Sequence, residues 1–353
     1  MVTQLTQQQG NRMHVDVVEL PDAEVEVGLQ KAGQGSFSFV LVCLDGTAVS
    51  SGVIPYAETL ATSIHANLRL LTVLEPDHES ETPSDPVEWS LRRREATQYL
   101  KSLVTKNCMD TVHTYITVLE GKSATAIGNY LCGTGHDISV FCRKDELETG
   151  HIGSTSRCVL ERCSGSIFLI PAHKTTTEFS QFHRIMVPLD GSARAESVLP
   201  TIRNIALACN AIVVLVHAEP RSDIAETMPG DMETVRLKAA LSKHNESAAQ
   251  HYLDRISQRL RQSGVDVETQ VVTGGDSRRQ LIETVHRELI DLVVLSSHGV
   301  SGHTDVPFGD IAGHMMSRSP VPILMLRDTF MTGSATVMAR LSESSARAPE
   351  GAS

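Results

Sequence analysis

The residues whose spacing is best suited to chemistry form a glycine-rich loop, SSHGVSGHTDVPFGD, that covers residues 296–310. It follows an apolar run, precedes a predicted helix from Ile311, and carries Gly299, Gly302 and Gly309. Glycine lets a backbone approach a ligand because it lacks Cβ and tolerates positive φ. A helix start adds free N–H groups and the positive end of the helix dipole. These features predict an anion site, most commonly for phosphate. A plain strand-to-helix connection is the alternative.

Two other polar turns follow apolar runs in the same half of the chain. One contains Pro188, Asp190 and Gly191, and the other is GGD at 274–276. In an open α/β sheet, ligands bind beyond the carboxyl ends of the strands, so the three turns are expected to converge. A carboxylate at Asp190 can accept hydrogen bonds from an amine or a hydroxyl group, while the glycines accommodate phosphate. Together they indicate a nucleotide site. A turn or helix N-cap is the alternative role for Asp190.

The strand sequences that lead into these turns occur twice in the chain. FSFVLVCLDGT (37–47) is repeated as HRIMVPLDGS (183–192), HTYITVLEGK (113–122) as VETQVVTGGD (267–276), and DISVFCRKD (137–145) as DLVVLSSHG (291–299). Apolar strands alternate with helical patterns, which is typical of a parallel sheet covered on both faces. A repeat of this length indicates a duplicated domain. We predict an α/β fold of two tandem Rossmann-like domains, each with a five-stranded parallel sheet and helices on both faces.

Composition shifts suggest the domain boundaries. We predict a mobile extension at residues 1–35 that adds one strand, a first domain at 36–172, a second domain at 183–328 and a disordered tail at 329–353. The last strands of the two domains, Ile167 to Ile170 and Val321 to Leu326, are expected to lie near each other, since both are edges that need covering.

Overall composition excludes several classes of partner. The chain has 353 residues, of which 41% are hydrophobic, 21% charged and only 4% aromatic, and its formal net charge is −11. Few aromatics and negative charge argue against nucleic acid and anionic membranes. The sequence also lacks a signal peptide pattern and an apolar run of about 20 residues. Seven cysteines without a CxxC pair are expected to be reduced thiols, and we predict a cytoplasmic protein.

The second half resembles the universal stress protein family in VPLDGS, VVTGGD, DLVVLSSHG, the later Gly309 and the terminal PVPILML. The resemblance implies a tandem member of that family, and in many members an ATP site built on a glycine pattern. It places that pattern on Ser296, Gly299, Gly309 and Asp310. It further implies adenine and ribose contacts from Pro188, Leu189 and Asp190, a base pocket lined by Ala218 and Leu295, and Ile311 as a further nucleotide-binding residue.

This chain departs from the family pattern at two loop positions. Ser296 in place of glycine is a mild change, whereas Asp310 replaces Ser or Thr. As a helix N-cap, the Asp310 carboxylate would take the N–H groups meant for phosphate. Two unit charges about 4 Å apart also repel by roughly 4 kcal/mol at an effective dielectric near 20. Bound Mg²⁺, His298 or His303 would offset part of this, so AMP is predicted to bind better than ATP.

The first half departs further, because Cys142 and Asp145 stand where two glycines are expected, although Gly153-Ser154 keeps the end of the pattern. We interpret this half as a structural, dimerising partner. The remaining polar residues form no HExxH, GxSxG or Walker motif. Arg278-Arg279 is interpreted as a solvated helix face, with a local anion contact as the alternative.

The resemblance therefore implies a stress-response protein. We predict that it is non-enzymatic and that its second domain binds AMP, ADP or ATP, with Mg²⁺ as a candidate ion. Two alternatives stay open: an interaction module without nucleotide binding, and a slow ATPase. A homodimer is a candidate assembly, and no residue identifies a protein partner.

Overall fold

The structure is a computed structural model that describes residues 15–17, 37–76, 86–107, 112–134, 138–143, 154–162, 165–175, 179, 181–220, 232–299 and 307–327. The predicted tail at 329–353 and most of the predicted extension lie outside these residues, as do Asp145, Gly302 and His303. Within the extension, strand β1 (Val15–Val17) is described, which confirms one added strand.

The first half alternates strands and helices from Phe39 onward. Its elements are β2 (Phe39–Leu44), α1 (Ala48–Ser51), α2 (Ile54–Ile64), β3 (Asn67–Leu74), α3 (Pro86–Asn107), β4 (Thr114–Glu120), α4 (Ser123–Thr134), β5 (Ile138–Arg143), α5 (Ser154–Arg162) and β6 (Ser166–Pro171).

The second half repeats this order from Arg184. Its elements are β7 (Arg184–Pro188), α6 (Ala193–Glu196), α7 (Leu199–Cys209), β8 (Ile212–Pro220), α8 (Met232–Gln262), β9 (Val267–Gly275), α9 (Ser277–Arg287), β10 (Leu292–Ser296), α10 (Asp310–Arg318) and β11 (Ile323–Leu326).

All the described strands form one continuous sheet in the order β1-β4-β3-β2-β5-β6-β11-β10-β7-β8-β9. Pairing is parallel within each half, and the halves join where β6 and β11 pair antiparallel, with Phe168 opposite Leu324. The predicted meeting of the last strands is therefore confirmed, as is the predicted α/β fold. The two five-stranded sheets share this junction, so they form a single layer.

Side chains alternate between the two faces of this layer, as the pleat of a strand requires. In β2, Val40 and Val42 belong to one buried cluster, while Leu41 and Cys43 belong to the cluster on the opposite face. Each cluster contains residues of both halves, so both faces are buried. This explains why the strands read as continuous apolar runs in the sequence.

Two equivalent helices, α2 and α7, pack against each other across the boundary between the halves. Both begin with a proline in the first turn and end in a left-handed residue, His65 (φ 56°) and Asn210 (φ 51°). Ser63 Oγ lies 3.8 Å from Cys209 Sγ at their contact. The two halves therefore share a helical interface as well as a sheet.

Candidate functional site

The predicted site residues converge at the carboxyl ends of three neighbouring strands. In the sheet, β7 lies between β10 and β8. Pro188 ends β7, Ser296 ends β10, and Ala218 lies near the end of β8. The chain connections diverge from β7 at this point, which is where open α/β sheets bind ligands.

Asp190 organises the turn that follows β7. Its Oδ1 accepts hydrogen bonds from Ser192 N (3.0 Å) and Ser192 Oγ (2.6 Å), and Gly191 between them has φ 84°. Ser192 in turn caps α6 by accepting from Ala195 N at 3.0 Å. Asp190 therefore has the turn role that the sequence left open, while Ser192 is the N-cap. The carboxylate is exposed to solvent.

The same turn occurs in the first half. Asp45 Oδ1 accepts from Thr47 N (3.0 Å) and Thr47 Oγ1 (2.7 Å), and Gly46 has φ 82°. Partial burial opposes ionisation of Asp45, but hydrogen bonds from Ser50 and Thr47 outweigh it and lower the pKa of the carboxyl group. The duplicated LDG sequence therefore encodes the same local structure twice.

Gly299 lies directly against the Asp190 carboxylate. A Cβ added at Gly299 would stand 2.1 Å from Asp190 Oδ2, which no real contact permits. Since Asp190 Oδ1 is already held by Ser192, the carboxylate cannot swing away without losing two hydrogen bonds. The predicted close approach of the glycine-rich loop to its surroundings is therefore present at Gly299.

Leu189 is fixed by backbone and side-chain contacts from β8. Its N–H donates to Val216 O at 2.8 Å, and its carbonyl lies 2.8 Å from His217 Nδ1. In the first half, Thr72 Oγ1 donates to the equivalent Leu44 O at 3.0 Å. The sequence analysis missed His217. The repeat itself was the available signal, because it aligns His217 with a hydroxyl residue.

Tyr252 of α8 is a second residue that the sequence analysis missed. Its ring meets the His217 ring edge-on, with centroids 6.5 Å apart. Burial raises the pKa of Tyr252, and the carboxylates of Glu196 and Asp190 raise it further. The phenol is therefore neutral at pH 7, and its buried oxygen lies near the carboxylate of Glu196.

The N-terminus of α10 differs from the predicted arrangement. Gly309 is the N-cap and Asp310 is the first helical residue, so the predicted capping by Asp310 is wrong. The Gly309 N–H donates to Ser297 O at 2.7 Å, and no side chain caps the helix. The Asp310 side chain is 78% exposed. Because Gly309 is extended (φ −73°, ψ 167°), Asp310 occupies the first helical position and not the N-cap position.

Arg278 pairs with Asp310 and with Asp276. Its Nη1 lies 3.2 Å from Asp310 Oδ2, and its Nη2 lies 2.7 Å from Asp276 Oδ2. Hydrogen bonds from the Arg278 side chain and backbone lower the pKa of Asp276 to about 2. Arg278 is exposed, as the sequence predicts, and it also makes the local anion contact that was the alternative. Arg279 is exposed too and pairs along its own helix with Glu283 at 2.7 Å.

His314, one turn into α10, faces the same charged cluster. Partial burial lowers its pKa, and the positive charges of Arg278 and Arg318 lower it further against the opposing effect of Asp276 and Asp310. The ring is therefore neutral at pH 7. Arg278 is the cation that stands beside Asp310.

The other predicted residues line the apolar side of the site. Leu295 is buried, and Pro188, Ala218, Ser296 and Ile311 are half-buried. His298 Nδ1 lies 3.0 Å from Ser297 Oγ, the residue next to it in the chain. Within the described part of the chain, no three His, Cys, Asp or Glu side chains are grouped for a metal ion. No described helix is long and apolar enough to cross a bilayer.

Comparison with known proteins finds a family match in the second half of the chain. Residues 181–327 match the model of the universal stress protein family. The match covers the second half of the chain, the same half in which the sequence resembles that family. No curated protein matches the chain.

Solved structures show how far the fold extends. A universal stress protein from Archaeoglobus fulgidus DSM 4304 is 14% identical, with a TM-score of 0.59 over 83% of this chain and 99% of that one. A functionally unknown protein from Pseudomonas aeruginosa PAO1 is 13% identical, with a TM-score of 0.57 over 86% of this chain and 97% of that one. The tandem fold thus includes the first half.

Proposed function

We propose that the second half binds an adenine nucleotide and that the protein acts in a stress response without catalysing a reaction. The observation that carries this proposal is the approach of Gly299 to Asp190, since it brings the glycine-rich loop to the turn after β7. Pro188, Leu189, Ala218 and Leu295 supply an apolar setting for a base, with Asp190 and Tyr252 as its polar neighbours.

The phosphate end is supported by the uncapped first turn of α10 and by Arg278. An uncapped helix N-terminus favours an anion through its N–H groups and dipole. The charge of Asp310 is balanced by Arg278 at 3.2 Å, so the repulsion predicted from the sequence is reduced. A phosphate would compete with Asp310 for Arg278. Mg²⁺ is a candidate ion for ATP in this proposal.

The test is a calorimetric titration of adenosine, AMP, ADP and ATP, with and without Mg²⁺, into the full chain. We expect adenosine and AMP to bind. Asp310→Ser should raise the affinity for ATP, relative to that for adenosine, by roughly two- to fivefold. Arg278→Gln should lower the same relative affinity by a similar factor, as is usual for exposed charge pairs. Arg279→Gln is the matched control, because it removes an arginine of the same helix that does not reach Asp310.

Two outcomes would change the proposal. If the wild-type chain binds none of the four ligands, the nucleotide function fails and a docking module becomes the better account. Phosphate release from ATP above a buffer blank would instead indicate a slow ATPase. Sedimentation of the purified protein tests whether it forms a homodimer.

A cytoplasmic location also belongs to this proposal. Among the described residues, Cys43, Cys142, Cys158 and Cys209 are free thiols, as is usual in a reducing compartment.

A further inference from the structure

Two arginines cross the boundary between the halves and bind helix carbonyl groups on the other side. Arg143, at the end of β5, donates to Met316 O (2.8 Å) and Ser319 O (2.5 Å) at the end of α10. Arg327, after β11, donates to Leu160 O (2.5 Å) near the end of α5. Each half therefore donates arginine hydrogen bonds to the last helix of the other half, α10 or α5.

The acceptors of these contacts are equivalent, but the donors are not. Because Phe168 faces Leu324 at the junction, β6 and β11 are symmetry mates, and Gly153-Ser154 corresponds to Gly309-Asp310. Leu160 is thus the counterpart of Met316. Arg143, however, corresponds to Ser297, the second residue of the glycine-rich loop of the second half.

The first half therefore carries a structural arginine where the second half begins its loop. The Arg143 side chain is buried, with 8% of the residue exposed, and its guanidinium lies at the C-terminal end of α10. A cation at this end is favourable because it complements the negative end of the helix dipole. Hydrogen bonds from a charged donor are also stronger than those between neutral groups.

Arg327 extends the same contact network to the other end of α10. Besides Leu160 O, its Nη2 donates to Pro307 O at 3.0 Å, two residues before the N-cap Gly309. Since α10 has nine residues, it is only about 13 Å long. A helix this short behaves as a rigid rod, so contacts that fix its C-terminus also fix the direction of its N-terminal N–H groups.

We infer that Arg143 is a positioning residue through which the first half sets the phosphate contact of the second half. The phosphate contact in this inference rests on the proposed nucleotide function. The positioning of α10 by Arg143 does not depend on that function. The first half needs no nucleotide of its own for this role. The end of β5, next to the degenerate position Cys142, supplies the arginine, and the sheet junction brings that arginine to α10.

The test compares Arg143→Met and the conservative Arg143→Lys with Arg157→Met in the full chain. Arg157 is the matched control, because it lies on the surface of α5, where it pairs with Glu161 at 2.9 Å. Hydrogen–deuterium exchange is measured for α10 and for α2, and ATP and adenosine are titrated by calorimetry well below the unfolding temperature.

For Arg143→Met we expect faster exchange in α10, including its first turn, with α2 unchanged. The affinity for ATP should fall by roughly two- to tenfold, the range for residues that act without touching the ligand. The affinity for adenosine should change less. Arg143→Lys should restore part of both effects, and Arg157→Met should show neither.

A purely structural role would raise exchange in α2 and α10 alike and leave the ratio of ATP to adenosine affinity unchanged, and that result would overturn the inference. Failure of the proposed function has a different signature. In that case the wild-type chain binds neither ligand, while the exchange of α10 still reports whether Arg143 positions the helix. If Arg143→Met does not fold, Arg143→Lys supplies the same comparison with a smaller expected change.

Discussion

Single residues of the site differ in how much local freedom they have. Asp190 is held by Ser192 and touched by Gly299, whereas Asp310 reaches solvent and is held only by an exposed ion pair. We therefore expect the turn after β7 to be fixed before a ligand arrives. The charges at the start of α10 are free to exchange partners.

Gly299→Ala is expected to remove adenosine binding. The new Cβ would stand 2.1 Å from Asp190 Oδ2, so either the loop or the Asp190 turn must move. We expect a stability loss of about 1–3 kcal/mol, as for other overpacked sites, and an affinity loss of about tenfold or more, equal to roughly 1.4 kcal/mol. Calorimetry and urea unfolding measure the two effects.

Gly309→Ser is the matched control for this substitution. A Cβ at Gly309 meets Ser297 O at an ordinary 3.6 Å, and serine is a good N-cap residue. We expect this variant to fold at least as stably as the wild type. Unchanged adenosine affinity in Gly299→Ala would show that the loop does not need to approach Asp190.

Sequence reasoning succeeded at this scale where the signal was local. The LDG turns and the close approach at a glycine follow from residues next to each other. Capping by Asp310 was wrong, because an N-cap and the first helical residue differ by one position and are decided by the backbone of Gly309. The ion pair between Arg278 and Asp310 joins residues 32 positions apart, so no local pattern reports it.

The elements were predicted well because apolar periodicity reflects burial directly. The helix predicted from Ile311 begins at Asp310, and the predicted alternation of strands and helices is present in both halves. The strands that end at the site were all present. The reciprocal arginine contacts could not be predicted, since they depend on how β6 and β11 align, and an arginine after a strand is usually solvated.

At the scale of elements, the pairing of β6 with β11 is expected to stabilise both halves. Phe168 is fully buried and meets Phe182 at 6.3 Å in a cluster that contains residues of both halves. Phe168→Ala should lower the free energy of unfolding by about 3–5 kcal/mol, as is typical for a buried phenylalanine. Urea unfolding followed by circular dichroism measures the change.

Val87→Ala is the control for this change, because Val87 on α3 is 73% exposed. We expect an effect within about 0.5 kcal/mol. If both variants lose a similar amount of unfolding free energy, the junction is not central to the stability of the protein.

At the scale of the whole molecule, the two halves cover each other's sheet edge. The backbone of β11 pairs with β6 from Ile323 to Met325, so a second half without its partner leaves that edge open. We expect a fragment of residues 181–327 to form a symmetric dimer through antiparallel β11 strands, with Leu324 near the twofold axis. Sedimentation measures its mass.

The full chain at the same concentration is the control, since its β11 edge is already occupied. A fragment that is folded by circular dichroism and remains monomeric would contradict this prediction. The outer edge at β9 needs less cover, because Arg261 and Gln280 donate to its carbonyl groups at Val267 and Thr273.

The unequal donors of the two arginine contacts have a consequence for how such a molecule can change over generations. In an assembly of two identical subunits, any substitution appears on both sides, so an arginine gained at one loop start would remove the loop chemistry from both sites. A single chain that contains both halves can carry Arg143 in its first half and keep Ser297 in its second half. Joining the two halves in one chain thus allows the first half to take a positioning role while the second half keeps the residues of its loop.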